Sequence, residues 1–200
     1  MIARPLPFYI NADDPPAKRE ILRAALKLFS ARGLAATSIR DIADESGYTN
    51  PALYKHFASK DELALQLFDS CHRRVWSRCS SAIASVNGWN AKVAAYVGEW
   101  LALVDEYPDV MAFLSDSARV LWPKSSATVR RQSMISLARS LVVEAPKSGR
   151  GASVVNPDVA AACLQGTLGE LARMLQVGVL PGPATKWNSH VVTLFLKLIP

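Results

Sequence analysis

The sequence predicts an all-α protein of about nine helices. Apolar residues recur at helical spacing along most of the chain, and the alternation of apolar and polar residues that is typical of strands is absent. Of the 200 residues, 50% are hydrophobic and 20% are charged, which is the composition of a chain that can bury a large core. Glycines, prolines and helix-capping residues separate the periodic segments.

Four helices are predicted in the first 86 residues. Residues 1–15 are proline-rich and lack an apolar period, so they are expected to form a flexible arm. A first helix begins at Pro16, has an apolar face, and ends at Gly33. A second begins at Ser38, where Ser-Ile-Arg-Asp is similar to a capping box, and ends at Gly47. A short third helix follows near residues 50–56, and the fourth is long, running from Lys60 to about Val86.

Five further helices are predicted after residue 88. Their expected ranges are 89–106, 109–121, 125–144, 158–178 and 184–199. Asn87-Gly88 and a series of prolines separate them, and no internal repeat is evident.

The second and third helices form a predicted helix-turn-helix. Helices this short are marginal in water, so they must be stabilised by packing. Apolar residues of the first helix supply that support, with Ile39, Ile42, Leu53 and Phe57 as the expected partners. The outer face of the third helix is then free to enter a DNA major groove.

Two segments carry a family resemblance: AKREILRAALKLFSARG and TSIRDIADESGYTNPALYKHFASKDEL. They resemble the N-terminal domain of the tetracycline-repressor (TetR) family of bacterial transcription regulators, over residues 17 to about 67. The resemblance implies a DNA-binding domain over 16–62 and a helical domain for ligand binding and dimerisation over 63–200. Tyr48 replaces a common small aliphatic residue, and Asn50-Pro51 replaces a commoner small residue or glycine. Both departures affect which bases are read.

The expected DNA contacts are of two kinds. The Asn50 amide suits adenine, Pro51 and Ala52 suit thymine methyl groups, and Arg40 is implied to contact guanine or phosphate. Lys60 opposes the dipole of its helix, and a DNA phosphate would offset that penalty. By resemblance, Tyr54 and His56 contact phosphates. The complete set is Ser38, Arg40, Thr49, Asn50, Pro51, Ala52, Tyr54, Lys55, His56 and Lys60.

Seven of these residues also have a purely structural alternative. Ser38, Thr49 and Asn50 could be helix caps only. Tyr54 and His56 could be interior residues, while Arg40 and Lys60 could be solvated surface cations.

The C-terminal region is expected to bind a small, hydrophobic effector and to dimerise. The candidate pocket residues, which could equally fill a solid core, are Trp100, Met111, Phe113, Leu114, Trp122, Met134 and Leu137. Small residues on the helix near 158–178 and apolar residues on the last helix suggest a four-helix dimer interface, unless they pack within one chain. The candidate interface residues are Ala162, Gly166, Gly169, Val191 and Phe195.

Charge and cysteine content agree with a DNA-binding protein of the cytoplasm. Half of the net charge of +6 lies in residues 1–60, which hold nine of the 23 basic and six of the 17 acidic residues. The three cysteines are widely spaced, which favours neither a zinc module nor a disulfide framework. No apolar run is long enough for a signal peptide or a membrane span.

Three classes of function are compared on this basis. The resemblance implies, as the leading interpretation, a homodimeric repressor that binds a palindromic operator in double-stranded DNA and is released by its effector. An enzyme would need a catalytic pair, a metal cluster or a phosphate-binding loop, and no such motif, metal site or cofactor site is apparent. A purely structural helical protein would have no need of the exposed Leu-Tyr-Lys-His-Phe helix.

Overall fold

The computed structural model describes residues 7–145 and 156–199, apart from the side chain of Leu198. Within these two ranges the chain forms α-helices and short 3-10 turns without a strand, so the predicted all-α class is confirmed. The α-helices are α1 Pro16–Arg32, α2 Ile39–Ser46, α3 Asn50–Tyr54, α4 Lys60–Ala84, α5 Trp89–Glu106, α6 Pro108–Leu121, α7 Ala127–Arg131, α8 Met134–Glu144, α9 Pro157–Gln176 and α10 Asn188–Leu198. None of these helices is long and apolar enough to cross a membrane.

The chain divides into two compact units. The first, called here the N-terminal unit, comprises Met1–Arg74 and Asp109–Val129. The second, the C-terminal unit, comprises Val75–Pro108 and Arg130–Pro200. The N-terminal unit therefore contains the helix-turn-helix, the first part of α4 and most of α6.

Aromatic side chains form the core of the N-terminal unit. Phe113 of α6 stacks on Phe29 of α1, with ring centroids 5.6 Å apart, and meets Phe68 of α4 edge-on at 6.1 Å. All three rings are buried. Burial of such large apolar side chains is the main stabilising term for helices as short as α2 and α3.

Two buried aromatic residues with polar groups organise the C-terminal unit. The indole N–H of Trp89 donates to the carbonyl of Leu141 at 2.6 Å. The Tyr96 hydroxyl lies 2.5 Å from Gln165 Oε1 and 3.2 Å from the Met134 carbonyl. Burial raises the pKa of Tyr96 well above its usual range, so the hydroxyl stays protonated at neutral pH.

Two sequence predictions differ from the structure. The single helix predicted over 125–144 is divided into α7 and α8 because Ser133 is extended and its hydroxyl caps the N–H of Ser136. Residues 1–15 were expected to form a flexible arm. Residues 7–15, the part described, pack instead through buried Tyr9 and Ile10, and the Ser70 hydroxyl donates to the Tyr9 carbonyl at 2.6 Å.

The start of α2 is the capping box that the sequence predicts. The Ser38 hydroxyl accepts from the Asp41 N–H at 3.1 Å, and the Ser38 N–H donates to Asp41 Oδ2 at 2.7 Å. The Ser38 hydroxyl also donates to Asp41 Oδ2, and this bond, together with the one from the Ser38 N–H, lowers the pKa of Asp41 because both favour its ionised form. At the other end, Gly47 has a φ of 74°, a conformation that glycine adopts without a steric penalty.

Ser38→Ala should lower the free energy of unfolding by about 1 kcal/mol, because it removes this cap. Thr49→Ala is the matched control, since Thr49 precedes α3 but its side chain makes no capping hydrogen bond. Urea denaturation at pH 7 measures both. The folded-state pKa of Asp41 is depressed, so the Ser38 effect should be present at neutral pH and diminish as pH falls through that pKa. Equal losses in the two variants would contradict the assignment.

Candidate nucleic-acid interface

Helix α3 presents polar side chains on an exposed outer face. Tyr54 is 54% exposed, and Asn50 and Lys55 are also exposed. No hydrogen bond or ion pair to another described residue involves these three side chains. His56 is half-buried and lies beside the Phe57 ring. An amide, a phenol and an ammonium group therefore share one accessible surface.

The opposite face of α3 is apolar and fixes the helix in place. Leu53 and Phe57 are 1% and 2% exposed. The carbonyl of Leu53 accepts the N–H groups of His56 and Phe57 at 2.9 and 3.0 Å, so the backbone turns sharply after α3. Ile42 and Ala43 of α2 are buried in the same unit, as expected for the predicted helix-turn-helix.

At the start of α3, the structure shows which groups cap the helix and which remain accessible. Thr49 caps through its backbone carbonyl, which accepts the N–H groups of Ala52 and Leu53 at 2.9 and 3.1 Å. Asn50 is the first helical residue rather than the cap. Pro51 follows it in the first turn, where the missing N–H of proline costs nothing. The hydroxyl of Thr49 and the amide of Asn50 are thus both available to an external partner.

The two candidate residues of α2 differ. Arg40 is exposed, and its charge contributes to the lowered pKa of Asp41. Ser38 is exposed as well, but its hydroxyl donates to Asp41 Oδ2 at 2.6 Å in addition to accepting from the Asp41 N–H. Its hydrogen is therefore committed to the cap.

Lys60, the first residue of α4, is half-buried and already has partners. Its ammonium donates to the carbonyl oxygens of Leu34 and Thr37 at 2.9 and 2.8 Å. The sequence expectation of a phosphate contact did not include these bonds. The neighbouring Ser59 caps α4, because its hydroxyl accepts from the Glu62 N–H at 3.1 Å.

The seven candidate pocket residues fall in both compact units. Met111, Phe113, Leu114 and Trp122 lie in the N-terminal unit, and the remaining three, Trp100, Met134 and Leu137, lie in the C-terminal unit. Phe113 has no accessible surface, so it fills a core and does not line a cavity. The alternative of a solid core also describes Trp100, Met111 and Met134, which are between 5% and 7% exposed.

The clearest cavities in the described structure have a different chemistry. Two clefts of about 300 and 290 Å³ lie in the N-terminal unit, and both use residues of α1. Charged side chains dominate their walls, including Lys27, which pairs with Glu45 at 2.5 Å, and Lys18, which pairs with Asp14 at 2.8 Å. Neither cleft has the apolar lining that a hydrophobic effector would need.

The candidate interface residues of α9 and α10 also divide into two groups. Ala162 and Gly166 are exposed and Gly169 is half-buried, whereas Val191 and Phe195 are buried within their own chain. A Cβ atom built on either glycine meets nothing within 4 Å. The exposed apolar side chain of α10 is Leu194, at 57%. Leu194 is one of the apolar residues of the last helix that suggest an interface, although it is not among the five candidate residues.

The helix-turn-helix matches a known family at the level of sequence. Residues 21–67 match the profile of the bacterial regulatory proteins of the tetR family. Over 48 residues the chain is 50% identical to the HTH-type transcriptional repressor KstR2 of Mycobacterium tuberculosis, a match that covers 24% of each chain. Over this N-terminal segment, the chain is therefore similar to the tetR family. Its relatives are transcription regulators and not enzymes, as expected.

Solved structures extend the similarity of the fold to the whole chain. The structure of the ketosteroid transcriptional regulator KstR2 of Mycobacterium tuberculosis superposes with a TM-score of 0.79 at 19% identity, covering 96% of this chain and 97% of that one. The transcriptional regulator FadR from Bacillus subtilis, in complex with stearoyl-CoA, gives 0.72 at 16% identity, covering 90% and 98%. By sequence, however, the matched segment spans only about a quarter of the length of the KstR2 relative.

Proposed function

We propose that this protein is a homodimeric, sequence-specific transcription regulator of the tetR family. It acts as a repressor in the cytoplasm and is released from a palindromic operator by a small, apolar ligand. The observation that carries this proposal is the outer face of α3, where Asn50, Tyr54 and Lys55 are exposed and have no partner in the described chain. Such a face, backed by a buried apolar one, suits insertion into a major groove.

The exposed side chains divide by chemistry into base-reading and phosphate-binding groups. The Asn50 amide can both donate and accept, which matches adenine N6 and N7, while Pro51 and Ala52 can pack on thymine methyl groups. Tyr54, Lys55, His56 and the hydroxyl of Thr49 can donate to phosphate oxygens. Arg40, on α2, is long enough to serve either purpose.

The DNA-binding assignment centres on residues 16–62, and the remaining residues from 63 onward contain the proposed ligand-binding and dimerisation functions. Phe68 and Phe113 pack against each other, and Phe113 stacks on Phe29 of α1, within the unit that contains the helix-turn-helix. We therefore expect the segments that contain them to support the DNA-binding helices even though they do not touch DNA.

A second copy of the chain is the proposed partner of α9 and α10. These helices border a shallow apolar groove lined by Cys163, Leu164, Thr167, Val191, Leu194 and Phe195. Glycine inside a helix costs about 1 kcal/mol relative to alanine, and among the described residues nothing lies within 4 Å of a Cβ atom built on Gly166 or Gly169. Close approach of a partner helix would account for both glycines and would cover Leu194.

The proposed effector site lies in the C-terminal unit. Trp100 and Met134 are buried in the core there and Leu137 is half-buried, so an apolar ligand would enter by displacing these core contacts. The buried Tyr96 hydroxyl lies beside Met134 and Gln165. A mostly apolar site with one polar pair suits a long apolar ligand that has a single polar group. The FadR structure in complex with stearoyl-CoA supports this class of ligand.

Asn50→Ala should relax the preference for one base pair in each half-site, at a cost of about 1–3 kcal/mol there, because the bidentate amide is lost. Tyr54→Phe is the matched control: it removes one phosphate donor and should weaken binding to all sequences to a similar extent. Fluorescence anisotropy with the selected operator and its single-base variants measures both. If Asn50→Ala keeps the base preferences of the wild-type protein, Asn50 does not contact a base.

The double substitution Gly166→Glu with Gly169→Glu should give a folded monomer that binds palindromic DNA poorly, because it places four like charges across the proposed two-fold axis. The matched control is Asn90→Glu with Ala91→Glu, which adds the same charge at two exposed positions in the first turn of α5. Sedimentation velocity at micromolar concentration reports the oligomeric state. A dimer that persists in the double variant would place the interface elsewhere.

Stearoyl-CoA should raise the thermal midpoint of the protein and lower its affinity for the operator. Both effects follow if the ligand binds the DNA-incompetent state more tightly, since equal affinity for both states shifts nothing. Coenzyme A without the acyl chain is the control and should have neither effect. If the acyl-CoA raises the midpoint but leaves DNA affinity unchanged, the ligand is bound without being an effector.

A further inference from the structure

Lys60 connects the two ends of the helix-turn-helix. Its ammonium donates to the carbonyl oxygens of Leu34 and Thr37, which lie 26 and 23 residues earlier in the chain. Thr37 immediately precedes the cap of α2, and Lys60 follows α3 by a short turn. The two bonds therefore close a ring that contains both helices of the motif.

The segment that Lys60 holds is fixed from its other side as well. Thr37 is 1% exposed, and its hydroxyl donates to the Gly33 carbonyl at 2.9 Å. The loop between α1 and α2 thus has three of its backbone carbonyls engaged by side chains, two by Lys60 and one by Thr37. Ser38, the N-cap of α2, comes directly after this loop, so the loop restricts where α2 begins.

Electrostatics alone would not favour a lysine at this site. The first turn of a helix repels cations, and α4 otherwise has acidic residues there, Asp61 and Glu62. The two carbonyl oxygens offset this penalty because hydrogen bonds from a charged donor are stronger than neutral ones. An ammonium has three donors, and two of them already have protein partners.

We propose that Lys60 is a positioning residue, which sets the orientation of α3 for base reading by joining the two ends of the helix-turn-helix. Its contribution to recognition is then specificity and not charge. This inference rests on the proposed DNA-binding function and replaces the phosphate contact that the sequence suggested for Lys60.

The test compares Lys60→Met with Lys55→Met in the full-length protein. Methionine keeps most of the apolar stem and removes the donors, while Lys55 is an exposed lysine without a partner. Affinities are measured for the operator selected from random DNA and for its single-base variants, between 50 and 200 mM salt, at a temperature where circular dichroism shows both variants folded.

Lys60→Met should reduce the affinity ratio between the operator and its variants by about fivefold or more, with an unchanged dependence of affinity on salt. Lys55→Met should have the opposite effect. The slope of its log affinity against log salt concentration should fall by about one, while its affinity ratio between the operator and the variants should stay unchanged. The proposal is overturned if Lys60→Met keeps the wild-type affinity ratio between the operator and its variants. A reduced salt slope would then indicate a phosphate contact, and a reduced thermal midpoint alone would indicate a purely structural role.

Thr37→Val provides a second variant in case Lys60→Met does not fold. It removes the bond to the Gly33 carbonyl with little change of shape and leaves every cation in place. The same loss of discrimination at wild-type salt slope supports the proposal, and full discrimination contradicts it. Failure of the wild-type protein to select any DNA sequence is a different result, because it rejects the proposed function itself.

Discussion

A recognition helix of five residues depends on contacts outside itself. Isolated helices of this length do not persist in water, so the position of α3 is set by what surrounds it. Burial of Leu53 and Phe57 fixes one face, and the two hydrogen bonds of Lys60 hold the ends of the motif together. The exposed polar groups can have a defined geometry only because these buried contacts restrict the backbone.

The two units of the chain make separate physical contributions. In the N-terminal unit, the packed rings of Phe29, Phe68 and Phe113 stabilise the helices that carry the DNA-binding surface. In the C-terminal unit, α9 and α10 leave an apolar groove and two unoccupied glycine faces exposed to solvent. A second copy of the chain suits that surface, and a palindromic site requires two copies of α3.

The sequence predicted most of the fold because its signals are local. Ser38, Gly47, Ser59 and the prolines mark helix ends through their own backbone chemistry, and the structure agrees at these places. The break before α8 was missed because Ser133 caps a helix within a continuous apolar period. The partners of Lys60 were missed for another reason: backbone carbonyls 23 and 26 residues away leave no signature in the sequence. Apolar residues such as Phe113 could not be assigned to a core or a pocket, because both need the same side chains.

Selection of bound sequences from a random DNA pool tests the central claim most directly. The account predicts enrichment of an inverted repeat whose half-site centres are separated by one helical turn of about 10–10.5 base pairs, or a multiple of it. Such a pattern requires sequence reading by α3 and a symmetric dimer at once. Recovery of no preferred sequence, or of a single half-site without a symmetric partner, would contradict it.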